Sequence, residues 1–164
     1  MAVNRFDQAS RYAAKLDPAG FLRWLFGAAV LVFRGWLDTR SLPFPGEPDR
    51  TCDTVACLAD SAAPAVLWAV PVEFSVRPDG TMFGRMLEYL GRLWRECRPP
   101  GRRGQRNRRY RVGASLVNLT GERRTASRRM RLRQTGVLTR LRVAERNLAR
   151  EDASATLDTI AAGH

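Results

Sequence analysis

Two stretches of this chain, Cys52-Asp53-Thr54-Val55-Ala56 and Val70-Pro71-Val72-Glu73-Phe74-Ser75, each set one carboxylate inside an otherwise apolar, strand-like run. Few folds tolerate that, because an acid in such surroundings is costly unless a cation or a hydrogen-bond network meets it. Alternation along the second run sends Val70, Val72 and Phe74 to one face and Pro71, Glu73 and Ser75 to the other. Glu73 and Ser75 are then neighbours roughly 7 Å apart. If the first run lies beside the second, Asp53 joins them, and two carboxylates meeting at strand ends form a hard-oxygen site suited to Mg²⁺. The alternative is a pair of ordinary ionic contacts at strand ends, with Glu73 taken up by one of the many arginines.

The elements around these runs read from periodicity and punctuation. Residues 4 to 15 have helical spacing, and Asp17-Pro18 caps a second short helix that runs to Phe26 and stops at Gly27. Val30 to Leu37 reads as a first strand, Cys52 to Ala59 as a second and Val66 to Val76 as a third, with connections short enough for an antiparallel meander. Pro71 lacks a ladder donor and predicts a bulge or an edge position. Pro78-Asp79-Gly80-Thr81 caps the clearest helix, whose apolar stripe is Met82, Phe83, Met86, Leu87, Leu90, Leu93, Trp94 and Cys97. Arg98 to Arg109 reads as a basic loop, Tyr110 to Thr120 as a fourth strand, and Gly136 onward as a final helix.

The net charge of +12 is unevenly distributed: residues 92 to 150 hold nineteen arginines against three glutamates, a surplus of +16, whereas residues 1 to 91 sum to −1. Lys15 is the one lysine, so arginine has replaced lysine throughout, yet replacement does not explain the crowding. Crowded guanidiniums point to a polyanion, engaged through counterion release and bidentate hydrogen bonds. With 164 residues, 45% of them hydrophobic, the chain can build a real core. Its longest apolar run, Trp24 to Phe33, is too short to span a bilayer, so no membrane association is expected. Arg5, Asp7, Arg11 and Lys15 stand where a secretory signal would be apolar, and a cytoplasmic location is expected. Cys52, Cys57 and Cys97 form no paired metal motif. Nothing points to a small-molecule substrate, and homo-oligomerisation stays open.

The order helix, three strands, helix, strand, with Asp53 opening the second strand and Glu73-Phe74-Ser75 on the third, resembles the PD-(D/E)XK nuclease superfamily. Within it, the chain is similar to transposase-associated, recombination-promoting nucleases and their bacterial relatives, whose following helix carries Arg and Tyr; here these are Arg85 and Tyr89. The resemblance implies an α/β fold: an αβββαβ core over residues 1–120 with a mixed central sheet and helices on both sides. Residues 121–164 follow as a basic segment and C-terminal helical extension. It further implies a Mg²⁺-dependent DNA endonuclease with Asp53 and Glu73 as metal ligands and catalytic groups. Ser75 then takes the water-orienting position where the family has Lys or Gln. Nucleic-acid contacts are expected from Arg85 and from Arg102, Arg103, Arg108 and Arg109. Two alternatives stay open: a catalytically inactive, arginine-rich nucleic-acid-binding protein, and a truncated remnant of a transposase-associated protein.

Overall fold

The computed structural model describes residues 5–27, 31–38, 54–76, 79–100, 108–120, 126–152 and 154. Helix α1 (Arg5–Leu16) leads into α2 (Pro18–Phe26), where the Asp17 carboxylate accepts a 2.9 Å hydrogen bond from the Gly20 amide and Pro18 sits in the first turn. Gly27 closes α2 at φ 77°, a left-handed conformation that favours glycine. Strands β1 (Leu31–Leu37), β2 (Thr54–Asp60) and β3 (Ala63–Ser75) then form the expected antiparallel meander. In β1 the register shifts between Phe33 and Gly35, and Gly35 at φ 134° absorbs the bulge.

Helix α3 (Met82–Glu96) crosses from β3 to β4 (Arg111–Val112) and β5 (Ala114–Asn118), both parallel to β3. A helical crossover is what a parallel pair requires. Beyond β5 come β6 (Arg128–Arg131), β7 (Leu138–Leu141) and β8 (Val143–Asn147). Strand β8 pairs in parallel with β5, giving the order β1-β2-β3-β5-β8, while β6 and β7 form a separate antiparallel ribbon. The protein is therefore a mixed α/β structure built on a mixed sheet.

Side chains sort onto the two sheet faces by strand alternation. Val55, Cys57, Ala69 and Leu116 pack with Met82, Met86, Tyr89 and Leu93 of α3. On the other face Ala56, Leu58, Val70, Val72, Phe74 and Val117 meet Ala14, Leu22 and Leu25 of the first two helices. Because both faces are covered, six successive residues of β2 are buried, which is why that run reads as continuously apolar. Within α3 the buried stripe is Met82, Met86, Tyr89 and Leu93; Leu87 and Trp94 are exposed.

Two sequence expectations are corrected. Pro71 lies neither at an edge nor at a bulge: it pairs with Val55 in the middle of β3, between β2 and β5. The ladder on the β5 side covers Trp68–Ala69 and resumes at Val72, skipping the place where proline has no N–H to give. There the Ser115 hydroxyl donates to the Pro71 carbonyl at 2.9 Å, so the acceptor is still used. The second correction concerns the helix expected from Gly136 onward, which is replaced by β7, β8 and a short 3₁₀ turn, Leu148–Arg150. Val137, Leu141, Ala144 and Leu148 mimic helical spacing, but Leu141 and Val143 are the buried pair, two apart, and β5 offers β8 an open edge. Tertiary pairing overrides the local period.

The α3-side core also holds a titratable pair. Burial pushes the Tyr110 hydroxyl up to about 12, reinforced by its neighbour Cys57, whose thiol burial likewise raises above 9.0. In the unfolded chain Tyr110 ionises near 10, two units below its folded value. Its contribution is thus complete below pH ~10 and is lost as pH rises towards ~12. Urea midpoints measured between pH ~8 and ~11 are expected to fall for the native chain and to fall less steeply for Tyr110→Phe; parallel curves would refute the coupling.

Candidate functional site

Glu73 lies near the C-terminal end of β3, on the face that receives α3, and is only 3% exposed. Its Oε1 accepts a hydrogen bond and ion pair from Nη2 of Arg85, one turn into α3. The same Nη2 reaches the Tyr89 hydroxyl at 3.2 Å, and the guanidinium stands 5.9 Å from the Tyr89 ring centroid. Nη1 of Arg85 donates to Asp79 Oδ2 at 3.0 Å. Asp79 sits in the turn before α3, where its Oδ1 accepts from the Thr81 amide at 2.7 Å and hydroxyl at 2.6 Å. The result is a chain of charge, Glu73–Arg85–Asp79, that ties the end of β3 to the start of α3.

This arrangement follows from local sequence. Alternation in β3 aims Glu73 at α3, and the i, i+4 spacing of Arg85 and Tyr89 puts both on the helix face that meets the sheet. Burial opposes the charge on Arg85, but the Glu73 carboxylate, Tyr89 and Asp79 more than compensate and hold its pKa above the ordinary arginine value. The Thr81 hydrogen bonds, ahead of Arg85, hold the Asp79 carboxyl below its usual value. Arg85 and Asp79 are therefore charged at neutral pH, with the Glu73 carboxyl held against the Arg85 guanidinium.

Of the residues singled out in the sequence, Glu73, Ser75, Arg85 and Tyr89 are described at this end of the sheet. Ser75 is buried two residues beyond Glu73, and its carbonyl accepts from the Leu119 amide at 2.8 Å. Asp53, Arg102 and Arg103 lie outside the described residues. Arg108 donates to the Ala65 carbonyl, and Arg109 to the carbonyls of Trp94 and Arg95 at 3.1 and 2.6 Å while lying 5.0 Å from the Trp94 ring centroid. These two guanidiniums fasten the chain leading into β4. The sequence marks Asp79 only as a capping residue; its second role, holding Arg85, is signalled by the six-residue spacing that brings a turn carboxylate beside the start of α3.

The contacts given for the acids of this cluster are to protein groups. Glu73 Oε1 faces a guanidinium, both Asp79 oxygens accept from Thr81 or Arg85, and among the described residues no group of three His, Cys, Asp or Glu side chains is placed to hold a metal ion. Among the described residues, too, no helix is long and apolar enough to cross a membrane. Comparison with protein-family models, with curated proteins and with solved structures finds no match to this chain.

Proposed function

We propose that this chain is a nucleic-acid-binding protein built on a PD-(D/E)XK-like sheet whose catalytic position has been converted into a structural ion cluster. The observation that carries this reading is how charge is allocated. Glu73, the acid expected to ligate metal, is neutralised by Arg85 inside the protein, while the arginine surplus of residues 92 to 150 has only three glutamates in its own span. The order α1, α2, β1, β2, β3, α3, β5, with β3 and β5 parallel, supports the nuclease-like ancestry of the scaffold. Ser75 supports the loss of hydrolysis: a serine hydroxyl cannot supply the positive charge or basicity of a lysine at that position.

Supercoiled plasmid and labelled duplex are the test substrates. With Mg²⁺ or Mn²⁺ the plasmid is expected to stay intact, while duplex binding persists in EDTA and its log K falls linearly with log salt at about 0.9 per phosphate contacted. Metal-dependent nicking that disappears in Asp53→Ala and in Glu73→Ala would replace this reading with the endonuclease. Binding insensitive to salt would remove nucleic acid as the partner.

A further inference from the structure

The β6–β7 ribbon belongs neither to the main sheet nor to the Glu73 cluster. Residues 126 to 142 contain six arginines and no acid. Cross-strand pairing places Arg129 opposite Arg140 and Arg131 opposite Leu138, so Arg129, Arg131 and Arg140 share one face. The other face is the anchored one: Leu141 is buried, Arg128 lies 5.3 Å from the Phe83 ring centroid, and Met130 is on this side. The base of the ribbon is held to β8 by the Ala126 amide donating to Glu145 Oε1 at 2.6 Å and by the Val143 amide donating to the Ser127 hydroxyl at 2.8 Å. The loop is equally defined, with Gly136 at φ 74° and the Leu132 amide donating to the Val137 carbonyl at 3.1 Å.

Like charges directly opposite in a ladder destabilise it. Among the described residues no carboxylate forms an ion pair with Arg129, Arg131 or Arg140, all of which are exposed. A rigid, acid-free ribbon that tolerates Arg129 against Arg140 is suited to an external polyanion. A two-stranded ribbon also fits the major groove of duplex DNA, which is about 12 Å wide. An anionic membrane would call for several apolar side chains on the arginine-bearing face, where Leu138 is the one apolar residue of the described ladder.

We infer that the β6–β7 ribbon is a DNA-binding arm whose outer face, Arg129, Arg131 and Arg140, sits against the phosphates of a duplex groove. The inference rests on the nucleic-acid reading above and adds the element that makes the contact. Fluorescence anisotropy of a labelled duplex with the full chain, from about 50 to 200 mM salt, tests it. The triple variant Arg129→Gln, Arg131→Gln, Arg140→Gln is expected to keep the native thermal midpoint and to flatten the salt slope by about 2 to 3. A control removing the same charge from the exposed Arg23, Arg34 and Arg150 is expected to change it by less than about 1. If the native chain binds and both triples lose slope equally, the arm is refuted while the nucleic-acid reading stands; absence of native binding sinks both. Preference of the native chain for phosphatidylserine vesicles over duplex, lost in the ribbon triple, would overturn DNA as the partner.

Discussion

Arg85→Met is expected to destabilise the protein by about 3 to 5 kcal/mol, because it strips a guanidinium from a carboxylate that has almost no access to water. Methionine fills the stem of the arginine, so little of that loss comes from packing. Glu73 is 3% exposed, whereas Arg85 keeps a quarter of its side-chain surface in solvent and retains Asp79 as a second partner. The penalty is therefore asymmetric. Glu73→Gln keeps a hydrogen-bonding oxygen near Arg85 and is expected to cost only about 1 to 2 kcal/mol. The double variant Glu73→Gln, Arg85→Met should be more stable than Arg85→Met alone, since no buried charge is left without its counter-ion. At this chain length a loss of 3 to 5 kcal/mol lowers the thermal midpoint by about 10 to 15 °C. Urea unfolding of the four proteins closes the cycle. An Arg85→Met variant within about 1 kcal/mol of the native chain would mean that Arg85 does not hold Glu73, and the proposal of a converted catalytic position would go with it.

Much of this architecture is legible in the sequence where local signals and tertiary demands agree. Asp17-Pro18 and Gly27 bracket α2 because cap and stop chemistry are properties of single residues. The alternation of Val70, Val72 and Phe74 against Glu73 and Ser75 survives folding because a strand buried on both sides has no register freedom. Legibility fails where two periods coexist. Leu138 to Leu148 satisfies a helical spacing and a strand alternation together, and only the vacant edge of β5 decides between them. It fails again at Arg108 and Arg109, whose partners are backbone carbonyls far away in sequence that carry no residue signature. The Glu73 cluster lies between these cases: an acid in an apolar strand demands a cation, but sequence leaves Mg²⁺ and guanidinium equally able to answer. What decides is that one turn of α3 lies over the end of β3, bringing Arg85 within reach.

The strength of that ion pair should depend on Leu116, which makes the second large effect testable by coupling. Leu116 on β5 is directly opposite Glu73 in the parallel ladder, is 2% exposed and packs with Met86 and Tyr89 of α3, so it borders the carboxylate on its sheet-ward side. Leu116→Ala removes buried methyl groups and leaves space that the surrounding strands cannot fully close, an expected loss of about 2 to 5 kcal/mol. Leu132→Ala, at a position 60% exposed, is expected to change stability by less than about 0.5 kcal/mol. The informative measurement is the pair Leu116→Ala and Arg85→Met. A smaller, wetter neighbour raises the local dielectric and hydrates Glu73, so its carboxylate depends less on the guanidinium. Arg85→Met should then cost at least about 1 kcal/mol less in the Leu116→Ala background than in the native one. Strict additivity, within about 0.5 kcal/mol, would show that Leu116 packs the sheet without insulating the cluster. Coupling of the expected sign would make the apolar wall of β5 part of what ties the Glu73 carboxylate to the Arg85 guanidinium.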